Sequence, residues 1–194
     1  GLFHTAFLMP SRADLGTWLR HAAETQVPLQ GASDHLVSEA IYLADPEGNG
    51  IEVYVDRPRD EWPMLNGRIE MATDPLDVQS VASEPGAETP WQGLESGTVI
   101  GHVHLHVPNL PAGEGFFCGE VGFEPTVRGY PGALFVAAGG YHHHLGMNTW
   151  VGAGAPPPPE NAVGMCAFTV ESRALEPRVL RDAATGVAVA MIEV

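Results

Sequence analysis

Two side chains that could bind a metal ion lie near opposite ends of the first 58 residues of the chain. His4 stands in the apolar stretch LFHTAFLM, and Glu52 stands in IEVYV, directly after the turn sequence DPEGNG. A second segment of similar layout starts at GHVHLHV and has His102 where the first has His4. Imidazole nitrogens and carboxylate oxygens are common ligands of divalent metal ions. The pattern therefore predicts a metal site built on a repeated unit.

Strand periodicity predicts that these polar side chains share faces with one another. Successive side chains of a strand point to opposite faces of the sheet. Glu52 and Tyr54 would therefore lie on one face, and Tyr42 would lie opposite its apolar neighbours in AIYLA. In GHVHLHV the polar face carries His102, His104 and His106. The apolar faces would form the core, and the polar faces would line a metal-binding cup.

The segments between these residues predict one helix and a set of short strands. SRADLGTWLRHAAETQV has apolar residues at helical spacing, with Ser11 as the N-cap, and Pro28 ends it. LQGASDH predicts a short strand. The stretch from Ser38 predicts a hairpin with strands over 39–44 and 51–55 around the turn 45–50. The predicted order is β-α-β-β-β.

The same order recurs along the chain and predicts its domain organisation. We expect a βαβββ module over 1–58, a linker over 59–97 with a helical turn near 75–82, and a second βαβββ module over 98–151. A proline-rich linker over 152–161 then leads to an abbreviated module over 162–194 that ends in a hairpin. The predicted fold class is α+β, with repeated βαβββ modules forming cupped mixed sheets. Modules of this size should pair, because a single one cannot bury its sheet.

Composition excludes several classes of partner. The 194 residues include nine arginines, no lysine and 24 acidic residues, for a formal net charge of −15. Such a chain lacks the basic surface that nucleic acids and anionic membranes attract. No apolar run reaches the roughly 18 residues of a membrane helix. Cys118 and Cys166 stand in apolar company and form no metal-binding motif. We expect a cytoplasmic protein that acts on a small molecule.

Four segments of the chain resemble the vicinal oxygen chelate superfamily, which includes glyoxalase I, fosfomycin and bleomycin resistance proteins, and extradiol ring-cleaving dioxygenases. They are GLFHTAFLMPSRADL, GASDHLVSEAIYLADPEGNGIEVYVDRP, IGHVHLHVPNL and PGALFVAAGGYHHHLGMNTW. Together they comprise 74 of the 194 residues. The most specific motif is DPEGNGIEVY on the last strand of a βαβββ module. The catechol-2,3-dioxygenase-like branch is the nearest one.

The resemblance implies which residues hold the metal. In this superfamily a His from a module's first strand, a Glu from its last strand and a residue from the paired module's first strand bind the ion. His4 and Glu52 match the first two positions, and His102 matches the third, with His104 and His106 as alternatives on its face. Two His and one carboxylate leave positions for substrate and O₂ in non-haem Fe(II) enzymes. Fe(II) is therefore the expected metal, and Zn, Ni or Mn are alternatives.

The source of the third ligand is left open at this point. Two-domain members of the superfamily have four modules, and this chain starts at what corresponds to the second and ends in an abbreviated fourth. A preceding module could supply the ligand, the second and third modules could pair, or a second copy in a homodimer could complete the cup. His102 is the expected ligand under the last two arrangements.

The resemblance also implies a role for residues beside the metal. Extradiol enzymes have a His and a Tyr on the strands that precede the ligating Glu, and His35 and Tyr42 occupy these places. His35 would remove a proton from a catechol substrate, since imidazole titrates near neutral pH. Tyr42 would donate a hydrogen bond to an oxygen ligand of the metal. Asp34 would either orient a ligand or cap a turn.

Further histidines are candidates for substrate contact. In YHHHLGMNTW at most His142 and His144 could converge if this segment is a strand, because neighbouring side chains then alternate between faces. The predicted substrate-contacting residues are His104, His142, His144 and Tyr54.

These residues predict a metal-dependent extradiol dioxygenase that takes an aromatic vicinal diol and O₂ in aromatic compound catabolism. One alternative is a glyoxalase-like isomerase or lyase, which would use Zn or Ni and normally a carboxylate from each module. The second module has His144 rather than Glu at that place. The other alternative is a bleomycin-resistance-type binding protein, which has no use for a His4–Glu52 pair.

Overall fold

The protein divides into two compact units in its structure, a computed structural model that describes residues 1–156, 159, 161–173 and 176–193. The N-terminal unit comprises His4–His102, and the C-terminal unit comprises Gly1–Phe3 with Val103–Val194. Within the described residues, no helix is both long enough and apolar enough to cross a membrane.

Short strands and a few helices make up both units. The strands are β1 (Leu2–Leu8), β2 (Leu29–Asp34), β3 (Ser38–Ala44), β4 (Gly50–Asp56), β5 (Met64–Leu65), β6 (Arg68–Ile69), β7 (Asp74–Pro75), β8 (Val99–His106), β9 (Glu124–Val127), β10 (Ala133–Ala137), β11 (Leu145–Asn148), β12 (Ala167–Ser172), β13 (Arg178–Arg181) and β14 (Ala188–Glu193). The α-helices are α1 (Arg12–Glu24), α2 (Val78–Ala82) and α3 (Leu110–Phe116). A 3₁₀ turn covers Arg59–Glu61, and a π-helical turn covers Phe117–Val121.

The sheet of the N-terminal unit has the strand order β7-β2-β3-β4-β1. β1 runs parallel to β4, with Ala6 opposite Glu52, and the other neighbours are antiparallel. Helix α1 makes the connection from β1 to β2. It begins where the hydroxyl of Ser11 accepts a hydrogen bond from the amide of Asp14, as the sequence predicts.

One face of this sheet is apolar and packs on α1. Ile41, Val53 and Val55 form a buried cluster with Leu15 and Leu19 of the helix. The opposite face carries the polar and aromatic side chains of β1, β3 and β4, namely His4, Tyr42, Glu52 and Tyr54, beside Ala6 and Ala40. Each strand therefore has one apolar face that packs in the core and one face that carries polar and aromatic side chains, as the sequence predicts.

The main sheet of the C-terminal unit repeats the same topology. Its order is β8-β11-β10-β9, with β8 parallel to β11 and the other neighbours antiparallel. This is the pairing pattern of β1, β4, β3 and β2. The α+β class and the repeated βαβββ module are thereby confirmed. The helical connection starts at Asn109, which caps α3, and ends at Gly122 with a left-handed φ of 99°.

A second small sheet completes the C-terminal unit. Its order is β12-β14-β13, with β12 parallel and β13 antiparallel to β14, so the predicted terminal hairpin is present. Val189 and Met191 of β14 join the same buried cluster as Phe117 and Leu134. The sheet therefore contributes to the core of its unit.

Two predicted elements differ from the structure. The segment expected as a linker over 59–97 has α2 within the predicted helical turn near 75–82, but it also contains short strands that the sequence did not predict, and one of them, β7, extends the sheet by pairing with β2. The segment YHHHLGMNTW is not one strand, because only Leu145–Asn148 pairs as β11. The predicted module boundaries, which differ from the division into compact units, stay a prediction.

Candidate metal centre

Three buried side chains from the first, fourth and eighth strands meet at one point of the N-terminal unit. The Nε2 atom of His4 lies 2.9 Å from Oε2 of Glu52, and Nε2 of His102 lies 3.2 Å from the same oxygen. The two Nε2 atoms are 3.3 Å apart. The exposed fractions of the residues His4, Glu52 and His102 are 5%, 3% and 3%, so little water competes for their polar atoms. The structure brings together the residues that the sequence singled out.

The electrostatics of the cluster favour an ionised carboxylate. Burial would raise the pKa of the Glu52 carboxyl, but the adjacent His102 and His4 outweigh this effect and hold its pKa well below its usual range. The cluster therefore keeps a buried negative charge between two imidazole rings, which is the charge that a bound cation would neutralise.

The donor set also fits a metal ion in its spacing. Metal–ligand bonds of about 2.1 Å place neighbouring ligand atoms about 3.0 Å apart in an octahedral site and about 3.4 Å apart in a tetrahedral one. The three edges of the triangle, 2.9, 3.2 and 3.3 Å, agree with this range to within about 0.1 Å. Among the described residues, this is the group of three or more His, Cys, Asp or Glu side chains whose ligand atoms converge in this way. The cluster can hold a divalent metal.

The side chain of Tyr54 supports the ring of His102. Tyr54 is fully buried, and its ring centroid lies 4.9 Å from that of His102. Its hydroxyl lies directly over the backbone of Gly101, where any β-carbon would clash with it. The close approach of Tyr54 therefore requires a glycine at position 101. In the sequence, the only indication of this role is that Gly101 precedes the candidate ligand His102. The predicted contact of Tyr54 with substrate stays a prediction.

His35 and Tyr42 lie together beside the cluster. The ring centroids of Tyr42 and His4 are 5.8 Å apart. Nδ1 of His35 lies 2.6 Å from the carbonyl oxygen of Ala72, which can only accept, so this nitrogen carries the proton. Nε2 of a neutral His35 is then an acceptor, and the Tyr42 hydroxyl, 2.6 Å away, donates to it. The two residues therefore form an oriented donor–acceptor pair.

Asp34 caps the turn that carries His35. One of its carboxylate oxygens accepts the amide hydrogen of Leu36 at 2.8 Å, and the other accepts a hydrogen bond from Arg57 at 2.6 Å. Of its two predicted roles, the structure shows the turn cap. Sequence reasoning missed Arg57 and the carbonyl of Ala72, because both reach the turn from other parts of the fold.

His104 lies in the C-terminal unit, in a network with Asn148. The side-chain amide of Asn148 donates to Nε2 of His104 at 3.0 Å, and Nδ1 of His106 donates to its oxygen at 2.7 Å. The ring of His104 packs on the backbone of Gly146 and edge-on to Phe3. His104 and His106 were the predicted alternatives for the third ligand, and both make hydrogen bonds to Asn148. His102 is the histidine that converges with His4 and Glu52.

The three consecutive histidines also lie in the C-terminal unit. Nδ1 of His142 and Nδ1 of His143 are 2.7 Å apart, whereas His144 accepts a hydrogen bond from the amide of Ala138 through its own Nδ1. The expectation that at most His142 and His144 converge is wrong, because the segment precedes β11 and does not have the alternation of a strand. The substrate contacts predicted for His142 and His144 stay predictions.

Comparison with known proteins supports the resemblance that the motifs indicate. The chain is 46% identical over 173 residues to a protein of Bacillus subtilis (strain 168) named catechol-2,3-dioxygenase, an alignment that covers 88% of this chain and 60% of the relative. The chain thus spans about three fifths of the length of that curated relative. A crystal structure described as a putative dioxygenase from Bacillus subtilis subsp. subtilis str. 168 matches with a TM-score of 0.56 and 11% identity, and covers 98% of this chain and 61% of that one. No protein-family model matches the chain.

These findings define a class. The predicted resemblance to the vicinal oxygen chelate superfamily is confirmed, and the sequence relative places the chain nearest the catechol-2,3-dioxygenase-like branch. The solved structure supports the fold alone, because its sequence identity is low.

Proposed function

We propose that this chain binds Fe(II) through His4, Glu52 and His102 and cleaves the ring of a catechol-like vicinal diol with O₂. The observation that carries the proposal is the convergence of two imidazole nitrogens and one carboxylate oxygen within 3.3 Å of one another. A set of two His and one carboxylate is typical of non-haem Fe(II) oxygenases, in which the remaining positions admit substrate and O₂. The name of the 46% identical relative supports the same class of reaction.

The metal and the protein have separate tasks in this reaction. When bound, Fe(II) would chelate both hydroxyl oxygens of the diol, lower their pKa and provide a position for O₂. The protein must then accept a substrate proton. The Tyr42 hydroxyl already donates to Nε2 of His35, so its oxygen can take a proton from the substrate as its own proton passes to His35.

This route modifies the role expected for His35. The sequence predicts that His35 takes the substrate proton directly, but its Nε2 is occupied by Tyr42 and its Nδ1 by Ala72. We therefore assign Tyr42 to the substrate side and His35 to storage of the proton. The imidazolium that results keeps both hydrogen bonds, because each ring nitrogen then donates, to Ala72 on one side and to the Tyr42 oxygen on the other.

The ligand chemistry weighs against a glyoxalase-like isomerase. That reaction class normally uses a carboxylate from each of two modules, whereas the converging cluster found in the described part of the chain has Glu52 as its single carboxylate. The distances themselves fit tetrahedral Zn as well as octahedral Fe(II), so metal identity has to be measured. A binding protein without catalysis has no need of a buried carboxylate flanked by two imidazoles.

The test measures metal content and O₂ uptake in parallel. The protein is purified without oxygen, loaded with Fe(II), and assayed for O₂ consumption and ring-opened product with catechol and substituted catechols. Glu52→Gln keeps the side-chain size but removes the charge, so we expect a loss of Fe(II) affinity on the order of 10²-fold and no O₂ uptake. Glu47→Gln, at an exposed position of the same hairpin, is the matched control and should behave as the parent.

Three outcomes would contradict parts of the proposal. Full metal content in Glu52→Gln would contradict the assignment of Glu52 as a metal ligand. Fe(II) bound without O₂ uptake across several catechols would favour an isomerase or lyase. Turnover of substrate with Zn(II) or Ni(II) in the absence of O₂ would also favour an isomerase or lyase.

Other expectations accompany this proposal and are predictions. They are a cytoplasmic location, a role in aromatic compound catabolism, a homodimer, and the absence of nucleic-acid and membrane partners. Substrate contacts by His104, His142, His144 and Tyr54 are also predictions, and so are Mn, Zn and Ni as alternative metals.

A further inference from the structure

The turn that carries His35 contains a backbone conformation that its residue type disfavours. Leu36, between β2 and β3, has a φ of +69°, in the left-handed region. Side chains with a β-carbon rarely adopt this region, and glycine is the residue that does so readily. The turn therefore has to be held in place by contacts with its surroundings.

Asp34 and Arg57 supply those contacts. Oδ1 of Asp34 accepts the amide hydrogen of Leu36 at 2.8 Å, and its Oδ2 accepts from the guanidinium of Arg57 at 2.6 Å. The backbone amide of Arg57 also donates to the carbonyl of Val37 at 2.9 Å. Arg57, which directly follows β4, thus holds the turn through its main chain and its side chain.

Arg57 is itself part of a chain of alternating charges that leads to helix α1. Its guanidinium lies 3.5 Å from Oε1 of Glu39, a carboxylate of which only 6% is exposed. Glu39 accepts two hydrogen bonds from Arg12, at 2.6 and 3.1 Å, and Arg12 also pairs with Glu84. If Arg57 moved toward solvent, the buried carboxylate of Glu39 and the partly exposed carboxylate of Asp34 would both lose a cationic partner.

The held turn determines where the His35 ring points. The backbone amide of His35 donates to the carbonyl of Ser38 at 2.8 Å, and Nδ1 donates to the carbonyl of Ala72 at 2.6 Å. The amide of Ala72 in turn approaches the carbonyl of His35 at 3.4 Å. With these contacts made, Nε2 is directed at the Tyr42 hydroxyl. A loss of the left-handed backbone conformation at Leu36 would move the ring away from both partners.

We propose that Arg57 and Asp34 are positioning residues for His35, which fix its ring orientation and tautomer by holding the left-handed turn at Leu36. The value of this arrangement for catalysis rests on the proposed function, in which His35 stores the substrate proton. The arrangement itself can be measured without any turnover.

The first experiment observes the His35 ring directly. The full chain is labelled with ¹⁵N-histidine and loaded with diamagnetic Zn(II), and the Nδ1–H signal of His35 is assigned by its absence in His35→Gln. We expect Arg57→Gln to remove this signal or to increase its exchange with water at least 10-fold. Arg128→Gln is the matched control, because Arg128 also pairs with a carboxylate, Glu114, but at an exposed position of the C-terminal unit. An unchanged His35 signal in Arg57→Gln would overturn the proposal.

The second experiment separates turn geometry from charge. Asp34→Ala should lose the same signal, and adding Leu36→Gly should restore at least half of its intensity, because glycine adopts the left-handed conformation without the cap. Failure of the double variant to restore it, while the protein keeps its fold by circular dichroism, would show that the carboxylate acts on His35 by charge and not through the turn.

Kinetics then distinguish this inference from the proposed function. If the Fe(II) protein consumes O₂, we expect Arg57→Gln to lower kcat on the order of 10-fold with little change in KM, and Arg57→Lys to recover part of it. A protein that shows no O₂ uptake but loses the His35 signal in Arg57→Gln would refute the function and leave the positioning role intact. An altered KM with unchanged kcat would refute the positioning role.

Discussion

At the scale of single residues, one carboxylate oxygen lies at the centre of the candidate metal site. Oε2 of Glu52 lies 2.9 Å from Nε2 of His4 and 3.2 Å from Nε2 of His102. The adjacent His102 and His4 hold the pKa of this buried carboxyl well below its usual range, which favours the ionised form that a cation would bind. The side chains around this oxygen then determine how accurately the two imidazoles are placed.

Gly101 is one such determinant, and its substitution should be felt at the metal. In Gly101→Ala the new methyl group would clash with the Tyr54 hydroxyl, so the tyrosine and the His102 ring packed on it must shift. We expect a reduced Fe(II) affinity, at least 10-fold by the usual effect of supporting residues, together with a lower Tm. Gly31→Ala is the control, because Gly31 is also a strand glycine but has open space around it. Equal metal affinity in both variants would contradict the support role of Tyr54.

Tyr42 offers a test of the proton route that leaves the metal in place. Tyr42→Phe keeps the ring but removes the hydroxyl that donates to His35. Loss of a positioned acid–base group typically lowers kcat on the order of 10²-fold. Metal content, measured by elemental analysis, should stay at the parent level. A kcat that stays within a factor of two of the parent would exclude Tyr42 from the proton route.

The two cysteines should differ in reactivity with pH. Burial raises the pKa of the Cys118 thiol, and Glu114 adds to this effect while Arg128 opposes it, so less thiolate is present at a given pH than in an ordinary cysteine. Cys166 is exposed. In the single-cysteine variants Cys118→Ser and Cys166→Ser, mass spectrometry should show that iodoacetamide labels Cys166 readily near pH 7 and Cys118 only at higher pH. Fast labelling of Cys118 at pH 7 would contradict its burial.

At the scale of elements, the βαβββ module places ligands through its topology. Parallel pairing of β1 and β4 sets Ala6 opposite Glu52 and brings the first and last strands of the module side by side. Two ligands that are far apart in the sequence therefore become neighbours on one face. Helix α1 makes this pairing possible, because a parallel connection needs a crossover and the helix covers the apolar face of the sheet.

The start of α1 gives a stability test at this scale. Ser11 accepts the amide hydrogen of Asp14 and donates its own hydroxyl hydrogen to the Asp14 carboxylate. Ser11→Ala should lower the free energy of unfolding by about 1 kcal/mol, the usual value of a helix N-cap. Chemical denaturation measures the change, with Ser96→Ala at an exposed loop position as control. A change below about 0.3 kcal/mol would show that the cap contributes little.

At the scale of the whole molecule, the chain has two units with separate cores. The predicted metal ligands all fall within the N-terminal unit, His4–His102. Phe117, fully buried, is central to the core of the C-terminal unit and packs against Phe116 and Phe168. The stability of one core can therefore be lowered without changing any ligand.

Phe117→Ala tests this division. Removal of a buried phenyl ring typically lowers the free energy of unfolding by about 3–5 kcal/mol. We expect the variant to have a lower Tm but to bind one metal ion per chain at low temperature, as measured by elemental analysis and calorimetry. Leu15→Ala, in the core of the N-terminal unit, is the comparison and should lower metal affinity as well. Loss of metal in Phe117→Ala at a temperature where the chain remains folded would contradict the division.

Local patterns were sufficient to predict much of this fold. The alternation of apolar and polar residues around Tyr42 and Glu52 predicts both faces of the sheet, and Ser11 and Pro28 predict the limits of α1 within a few residues. The pattern failed at His142–His144, where a run of three similar residues has no periodicity to follow. It also treated 59–97 as a linker, because β7 gains its strand character only by pairing with β2.

The sequence by itself determined the types of the candidate ligands, their places on strands and their membership of a repeated module, because these depend on periodicity and on local turn motifs. Only the tertiary structure decided that His102, and not His104, meets His4 and Glu52, and that His35 is held by Ala72, Asp34 and Arg57. The reason is physical: a choice between histidines two residues apart, or a contact to a main-chain carbonyl, depends on strand register and on distances across the fold. Neither quantity is encoded in the spacing of residues along one segment.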